Sequence, residues 1–326
     1  MPPAVILDGH NDLALRIWLG HEPRHVRLEE AAAADFAGGF FALSTIAELP
    51  ELPKQGPYAM PLPEPATYEK ARADVEAQLA VLERLDVAIV RTVEEIEPGR
   101  VNAIVHLEGA EPIAPDLSDL DAWYGRGVRS LGVVWSRANA FGEGVPFRFP
   151  SSPDVGPGLT EAGRDLVRAC NRLGIVVDVS HLTEAGFWDV AAVTTAPLVA
   201  THSSVHELSP VSRNLTDRQL DVIGESGGVV GVNFAVPFLR ADGGNDPAGS
   251  SLTEIIRHVD YVAERIGIEH VAFGSDFDGA EVPGDLDGIA GLPRLVEALR
   301  AAGHDDSSLA SITHRNWLRV LRETWA

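Results

Sequence analysis

The segment ILDGHND, residues 6–12, ends an apolar run with a histidine and a carboxylate two positions apart. Side chains on a β-strand alternate between its two faces, so His10 and Asp12 would project on one side and Asn11 on the other. A histidine and an aspartate placed in this way can chelate one cation, although an ordinary hydrogen-bonded pair is the commoner use of this arrangement. The rest of the chain has to distinguish these two interpretations.

Other residues with ligand or acid–base chemistry stand where later apolar runs end. Each run is short and has the composition of a buried strand. If these strands are parallel, their carboxyl ends open on one side of the molecule, and the side chains meet there. Six such residues at five strand ends are difficult to ascribe to chance: His10 and Asp12, Glu108, His181, His202 and Asp276.

The elements that would position these residues alternate along the chain. Eight apolar runs occur at 4–9, 38–46, 102–109, 128–135, 174–181, 197–204, 227–234 and 269–276. Segments with helical spacing include 66–85, 159–173, 216–226, 251–267 and a closing helix over 314–325. This alternation predicts an α/β protein with a (β/α)8 TIM barrel, and an open doubly wound sheet is the competing arrangement.

No break in composition divides the chain, so we expect one barrel domain over residues 1–326. Two Pro- and Gly-rich inserts, 48–66 and 142–158, follow the second and fourth predicted strands. A barrel keeps its active site on the loops that follow its strands. The inserts could therefore line a pocket, and inert surface loops are an equally weighted alternative.

Composition excludes several classes of function. The 326 residues are 45% hydrophobic and carry 26 Lys and Arg against 48 Asp and Glu, a net charge of -22. An acidic chain without a basic run is unsuited to nucleic acid or to anionic lipid, so neither is an expected partner. The single cysteine, Cys170, rules out a disulfide framework and a Cys-rich zinc cluster.

The chain ends give an expectation about location. The N-terminal MPPAVILDGH has no basic segment followed by a long apolar run, as a signal peptide would. We therefore expect a cytoplasmic protein without a membrane partner. The sequence leaves the oligomeric state open, with a homodimer among the options.

Imidazole and carboxylate ligands without thiolates suit zinc, with manganese, cobalt or iron as alternatives. The number of candidate ligands favours two ions, about 3.5 to 4 Å apart, held by histidines, an aspartate and a bridging glutamate. Such a pair lowers the pKa of a bridging water and polarises a carbonyl. Asp276 is then the candidate that takes the proton of the water and passes it to a leaving amine.

Longer motifs carry a resemblance to a known family. DGHNDLALRI, HLEGAEPI, LDAWYGRGVRSL, GLTEAGRDLVRACNRLGIVVDVSH, ATHSSVHELSPVSRNLTD, FGSDFDG and RNWLRVL occur in this order over nearly the whole chain. Together they resemble the membrane (renal) dipeptidases, zinc dipeptidases of the amidohydrolase superfamily.

The resemblance implies a (β/α)8 barrel with two zinc ions per chain and a metal-bridging hydroxide as the nucleophile. One zinc would be held by His10 and Asp12 and the second by His181 and His202, with Glu108 bridging. It also implies that Asp276 is the acid–base residue, in contact with the substrate. Arg213, in the segment SPVSRNLTD, would hold the terminal carboxylate of a dipeptide, which the planar guanidinium fits.

One position departs from the family pattern. In several relatives the fourth strand ends with a histidine that contacts substrate, whereas Trp135 stands at about that place here. An indole offers a single fixed donor and cannot reproduce the geometry of an imidazole. We therefore expect Trp135 to contact substrate in a role not yet assigned, with Asn139 as the candidate to replace the missing donor. The secretion and lipid-anchor signals and the disulfide cysteines of animal members are also absent from this sequence.

The expected activity is hydrolysis of dipeptides, including L,D-dipeptides. Two alternatives remain at this point. The same metal centre could act on another amide, a lactam, a lactone or a phosphoester, or the barrel could be a non-catalytic binding protein.

Overall fold

The computed structural model describes residues 5–45, 51–61 and 63–325. Eight parallel strands follow one another around a nearly closed barrel in chain order, which confirms the predicted TIM-barrel fold. They are β1 (Ile6–Asn11), β2 (Phe36–Ser44), β3 (Asn102–Glu108), β4 (Val128–Gly132), β5 (Val176–Asp178), β6 (Val199–Ala200), β7 (Val229–Asn233) and β8 (Val271–Gly274). Residues 4, 46, 48–50 and 62, which belong to predicted strands or to the first insert, lie outside the described residues.

The barrel closes between its first strand and the segment that follows its last one. The amide of Asp276 donates to the carbonyl of His10 at 3.0 Å, and the amide of Asp12 donates to the carbonyl of Phe277 at 2.8 Å. Asn11 and Phe277 also form an isolated parallel bridge. The strand ends that carry His10 and Asp276 are therefore held side by side.

Helices surround the barrel on the outside. Their bounds are Leu13–Trp18, Tyr68–Leu82, Leu120–Gly125, Glu161–Leu173, Glu184–Val193, Asp217–Glu225, Val236–Leu239, Leu252–Ile266, Leu292–Ala302, Asp306–Ala310 and Asn316–Trp325. Hydroxyl residues begin several of them: Thr67, Thr160 and Thr183 each accept a hydrogen bond from an amide in the first turn, as helix caps do. The start of each of these three helices is therefore marked by a residue at that point of the sequence.

The strands are shorter than the apolar runs that predicted them. The fifth and sixth runs cover 174–181 and 197–204, yet β5 and β6 contain only Val176–Asp178 and Val199–Ala200. The backbone leaves the ladder after each strand, and His181 adopts a left-handed φ of 66°. Each strand therefore ends before the polar residues, which lie on the loop at the mouth of the barrel.

The two predicted inserts meet above the barrel. Tyr58–Ala59 from the first insert pairs antiparallel with Arg148–Phe149 from the second. The side chains of Leu52 and Met60 from the first insert and Phe147 from the second line a cavity at the mouth. The inserts are therefore part of the pocket wall rather than inert surface loops.

Among the helices that the structure describes, none is long and apolar enough to cross a membrane.

Candidate active site

All six candidate residues lie at the carboxyl end of the barrel. His10 is on β1 and Asp12 directly follows it, while Glu108 is the last residue of β3. The three others lie on the loops that follow later strands: His181 after β5, His202 after β6 and Asp276 after β8. Positions separated by more than 260 residues of chain thus share one site, as the parallel strands predict.

Glu108 is at the centre of the cluster. Its Oε1 lies 3.1 Å from His181 Nε2, 3.5 Å from His202 Nε2 and 3.6 Å from His10 Nε2. His10 Nε2 is also 3.6 Å from Asp12 Oδ2, and the Nε2 atoms of His181 and His202 are 3.1 Å apart. One carboxylate therefore faces two groups of nitrogen and oxygen donors.

Three sets of side chains have ligand atoms within 4.8 Å of one another. They are His10, Asp12 and Glu108; Glu108, His181 and His202; and His10, His202 and Asp276. Glu108 belongs to two of the sets, which is the placement that a carboxylate bridging two cations requires.

The donor set fits divalent cations. His10 is fully buried, and within the described part of the chain its Nδ1 and its Nε2 both lack a hydrogen-bond partner, as does Asp12 Oδ1. Buried polar atoms are nearly always satisfied, so unpaired donor atoms that converge indicate a missing partner. Imidazole and carboxylate groups without thiolate suit zinc and related transition metals.

Burial and charge shift the pKa values of the cluster. Burial opposes the charged form of His10, but Glu108 and Asp12 outweigh it and raise the pKa of His10 to about 10. Burial raises the pKa of Glu108 to about 8. Burial also lowers the pKa of His181 and of His202 well below the ordinary value, so these two imidazoles are neutral and can act as ligands.

We predict that zinc binding releases protons. Near pH 7 the metal-free cluster retains protons on groups that must be free to coordinate, because the pKa values of His10 and Glu108 are raised to about 10 and about 8. Zinc affinity should then increase with pH, by about tenfold per pH unit for each proton released. Chelator-competition titrations between pH 6 and 8 measure this slope. An affinity independent of pH would contradict the assignment.

Hydroxyl groups fix the orientation of two imidazoles. Ser136 Oγ lies 2.8 Å from His181 Nδ1, and Thr201 Oγ1 lies 2.8 Å from His202 Nδ1. The Thr201 hydroxyl donates to Asp178 Oδ2 at 2.6 Å, so it must accept from the N–H of His202. This arrangement leaves the Nε2 lone pair of His202 free for a cation.

Replacing Thr201 tests this arrangement. In Thr201→Val the shape is kept and the hydroxyl is lost, so zinc affinity should fall about 10- to 100-fold. Thr201→Ser retains the hydroxyl and should bind zinc like the parent protein. Competition with a chromophoric chelator measures both variants. Equal affinity in the valine variant would show that Thr201 does not orient the ligand.

His106 lies in the barrel interior near the cluster, and one nitrogen of its ring is hydrogen bonded. Its Nδ1 lies 2.9 Å from Ser130 Oγ, while its buried Nε2 has no hydrogen-bond partner among the described residues and is 3.6 Å from Asp178 Oδ2. Burial lowers its pKa to about 3, so His106 is a neutral imidazole in the barrel interior.

Asp276 is held at the cavity by its neighbours. Asn233 Nδ2 donates to Asp276 Oδ2 at 2.9 Å, and the backbone of Asp276 has a left-handed φ of 62°. A Cβ at Gly279 would lie 2.1 Å from Asp12 Oδ2 and 2.9 Å from Asp276 Oδ1, so only glycine fits there. The carboxylate is thereby packed beside the candidate ligands and remains accessible from the cavity.

Arg213 is buried next to the cluster. Its Nη1 donates to Ser203 Oγ at 2.9 Å and its Nη2 to the carbonyl of His202 at 2.8 Å, while its Nε has no partner in residues 5–45, 51–61 and 63–325. Burial lowers its pKa to about 10, so the guanidinium stays charged at neutral pH. Its side chain does not line the cavity as the described residues define it.

Trp135 and Asn139 occupy different environments. Trp135 lines the cavity together with Glu108 and His181. The Asn139 side chain donates to the carbonyl of Val133 at 2.9 Å and accepts from the amide of Phe141 at 2.8 Å. Asn139 therefore stabilises a turn, and the structure does not bring it to the described cavity wall.

The cavity has a volume of about 330 Å³ and includes charged residues that the sequence analysis did not select. Asp278 accepts hydrogen bonds from the amides of Arg24, His25 and Val26 at 2.8 to 3.1 Å. In return, the amide of Asp278 donates to His25 Nδ1 at 3.0 Å. This clamp joins the β1 and β8 loops across more than 250 residues, so no local sequence signal predicts it.

Comparison with known proteins agrees with this geometry. The family description "Membrane dipeptidase (Peptidase family M19)" matches residues 1–326. The chain belongs to this family. It is a metallo-dipeptidase, as the sequence analysis expected, which leaves the other amidohydrolase substrates and the non-catalytic barrel without support.

Solved structures of metallopeptidases share the fold of this family member. One is a metallo peptidase from Rhodobacter sphaeroides liganded with a phosphinate mimic of the dipeptide L-Ala-D-Ala; it is 42% identical, with a TM-score of 0.94, over 99% of this chain and 100% of that one. Another, dipeptidase AC, a family M19 metallo peptidase, is 43% identical, with a TM-score of 0.95, over 99% of each chain.

A bacterial sequence of undefined function is more similar still. An uncharacterised protein encoded in the pqqA 5' region of Klebsiella pneumoniae is 53% identical over 234 residues, which is 72% of this chain and 86% of that protein.

Proposed function

We propose that the chain, as one hydrolase domain over residues 1–326, is a zinc-dependent dipeptidase that accepts L,D-dipeptides. The observation that carries the proposal is the position of Glu108 between two donor sets, His10 with Asp12 and His181 with His202. The phosphinate mimic of L-Ala-D-Ala bound by the Rhodobacter sphaeroides relative supports the substrate class.

We propose that His10 and Asp12 hold one cation, that His181 and His202 hold the other, and that Glu108 bridges them. When bound, two such ions lower the pKa of a water and polarise a substrate carbonyl. The unpaired nitrogen atoms of His10 and the two lowered histidine pKa values support this assignment.

In this proposal Asp276 moves the proton. Its carboxylate lies within 4.8 Å of the ligand atoms of His10 and His202 and faces the cavity. It would accept the proton of the attacking water and donate it to the departing amine, so that the products leave as two amino acids. Asn233 keeps one carboxylate oxygen oriented for this transfer.

Arg213 would select dipeptides by binding the terminal carboxylate of the substrate. It is buried beside the candidate ligands and stays charged, and the low dielectric strengthens its attraction for an anion, although its side chain is not among the described ones that line the cavity. The terminal carboxylate lies at a fixed separation from the last peptide bond of a substrate, so binding it would direct cleavage to that bond.

Comparing a dipeptide with its C-terminal amide tests the role of Arg213. The parent protein should prefer the free acid by about 30-fold or more in kcat/KM, since a buried charge pair is worth about 2 kcal/mol or more. Arg213→Met should lose this preference, mainly through KM. An unchanged preference in the variant would show that another group binds the carboxylate.

The experiment that tests the proposed function is a turnover assay on zinc-loaded protein. A panel of L,L- and L,D-dipeptides should release amino acids, and the same panel with an added glycine at the C-terminus should not. Protein that holds zinc and cleaves none of the dipeptides would refute the proposal.

A further inference from the structure

The cavity above the candidate metal ligands has two walls of different chemistry. On the side of β1 and β8 the wall is charged, and its residues are Asp12, Arg16, Arg24, Asp276, Asp278 and Glu281. Arg24 pairs with both carboxylate oxygens of Glu281, at 2.5 and 2.6 Å, and Arg16 Nε lies 3.6 Å from Asp278 Oδ1. The charges on this wall are therefore largely paired with one another.

A second part of the wall, from the loops after β4 and β7, is aromatic. The rings of Trp135 and Phe147 are 5.7 Å apart edge to face, and those of Phe147 and Phe238 are 6.0 Å apart and nearly parallel. Tyr58, Val211 and Ala235 belong to the same apolar cluster. Trp135, Phe147 and Phe238 form a continuous apolar surface that faces the cavity, and we call it the aromatic wall.

Charge places the C-terminal residue of a dipeptide beside the aromatic wall. The guanidinium carbon of Arg213 lies 6.0 Å from the ring centre of Phe238, so the proposed carboxylate site adjoins this wall. The residue that carries the terminal carboxylate is therefore placed next to Phe238.

We infer that the aromatic wall is the pocket for the C-terminal side chain of the substrate, and that it selects apolar residues there, both aromatic and long aliphatic ones. This inference rests on the proposed function, including the role of Arg213. Apolar side chains gain from burial against Phe147 and Phe238. A carboxylate or ammonium in the same place would lose its hydration without gaining a partner.

A substrate series on the zinc-loaded parent protein tests the inference without any variant. The N-terminal residue is kept as L-Ala and the C-terminal residue is varied among D-Ala, D-Leu, D-Phe, D-Asp and D-Lys. We expect kcat/KM for D-Leu and D-Phe to exceed that for D-Asp and D-Lys by at least about tenfold. Varying the N-terminal residue in front of D-Ala should change kcat/KM less.

Two variants at position 147 test whether the aromatic wall causes this preference for apolar C-terminal residues. Phe147→Ala should reduce kcat/KM for the D-Phe dipeptide by about tenfold, and should reduce that for the D-Ala dipeptide less, since a methyl group reaches less of the wall. Phe147→Lys should raise the relative kcat/KM for D-Asp, which loss of structure alone would not do. Trp188→Phe, on an outer helix, is the control and should leave the ratios unchanged.

The outcomes separate this inference from the proposed function. Hydrolysis of dipeptides with a preference for charged C-terminal residues, or ratios that do not respond to either Phe147 variant, would overturn the inference and leave the dipeptidase assignment in place. Absence of hydrolysis across the whole series would overturn both.

Discussion

Glu108→Gln should abolish most dipeptide hydrolysis, lowering kcat/KM by at least about 10³-fold, or about 4 kcal/mol of transition-state stabilisation. The amide is almost the same size as the carboxylate, so the barrel should keep its fold. However, it carries no charge and cannot bridge two cations between His10 and His181. The variant should also bind fewer than two zinc ions per chain.

Steady-state kinetics and elemental analysis of the same preparation check this prediction. Glu161→Gln is the matched control, because the Glu161 side chain is 74% exposed on an outer helix. The control should retain parent activity and zinc content. A Glu108→Gln protein with two zinc ions and parental kcat/KM would contradict the bridging assignment.

The second large effect concerns proton transfer. Asp276→Asn should lower kcat by about 10²- to 10⁴-fold while zinc content is maintained, because the amide cannot take a proton from water or deliver one to the leaving amine. Asn233 can still hydrogen bond to the remaining oxygen, so the loop should keep its position.

Unlike Glu108→Gln, the Asp276→Asn variant should lose activity without losing zinc. Zinc content and thermal stability of the Asp276→Asn variant should match those of Asp165→Asn, an exposed substitution on an outer helix. If kcat of Asp276→Asn stays within a few-fold of the parent, then another group transfers the proton.

Sequence patterns predict the barrel because the information for it is local. Apolar runs mark the strands, and hydroxyl caps such as Thr160 and Thr183 mark helix starts. The convergence of His10, Glu108 and Asp276 follows from the parallel arrangement alone, since every strand ends on the same side.

Contacts between loops are not visible in the sequence. In the sequence His25 has no partner pattern and reads as structural or solvated, and Asp278 reads as a turn residue, yet the two form a reciprocal hydrogen-bonded clamp at the cavity wall. The pairing of Tyr58–Ala59 with Arg148–Phe149 likewise depends on how two inserts fold over the mouth. Neither of these two loop contacts produces a repeating pattern of residues in the sequence.

The side chain of Asn139 is used within its own loop. Its amide could in principle replace the donor of an imidazole, but it donates to the carbonyl of Val133 and accepts from the amides of Phe141 and Gly142. Trp135 lies on the cavity wall, and its contact with substrate stays a prediction.

The most direct test of the account is an anomalous difference map, recorded at the zinc absorption edge from crystals of the zinc-loaded protein. The account predicts two peaks, about 3.5 to 4 Å apart. One should lie beside His10 and Asp12 and the other beside His181 and His202, with Glu108 in contact with both. A single peak, or peaks away from these side chains, would contradict it.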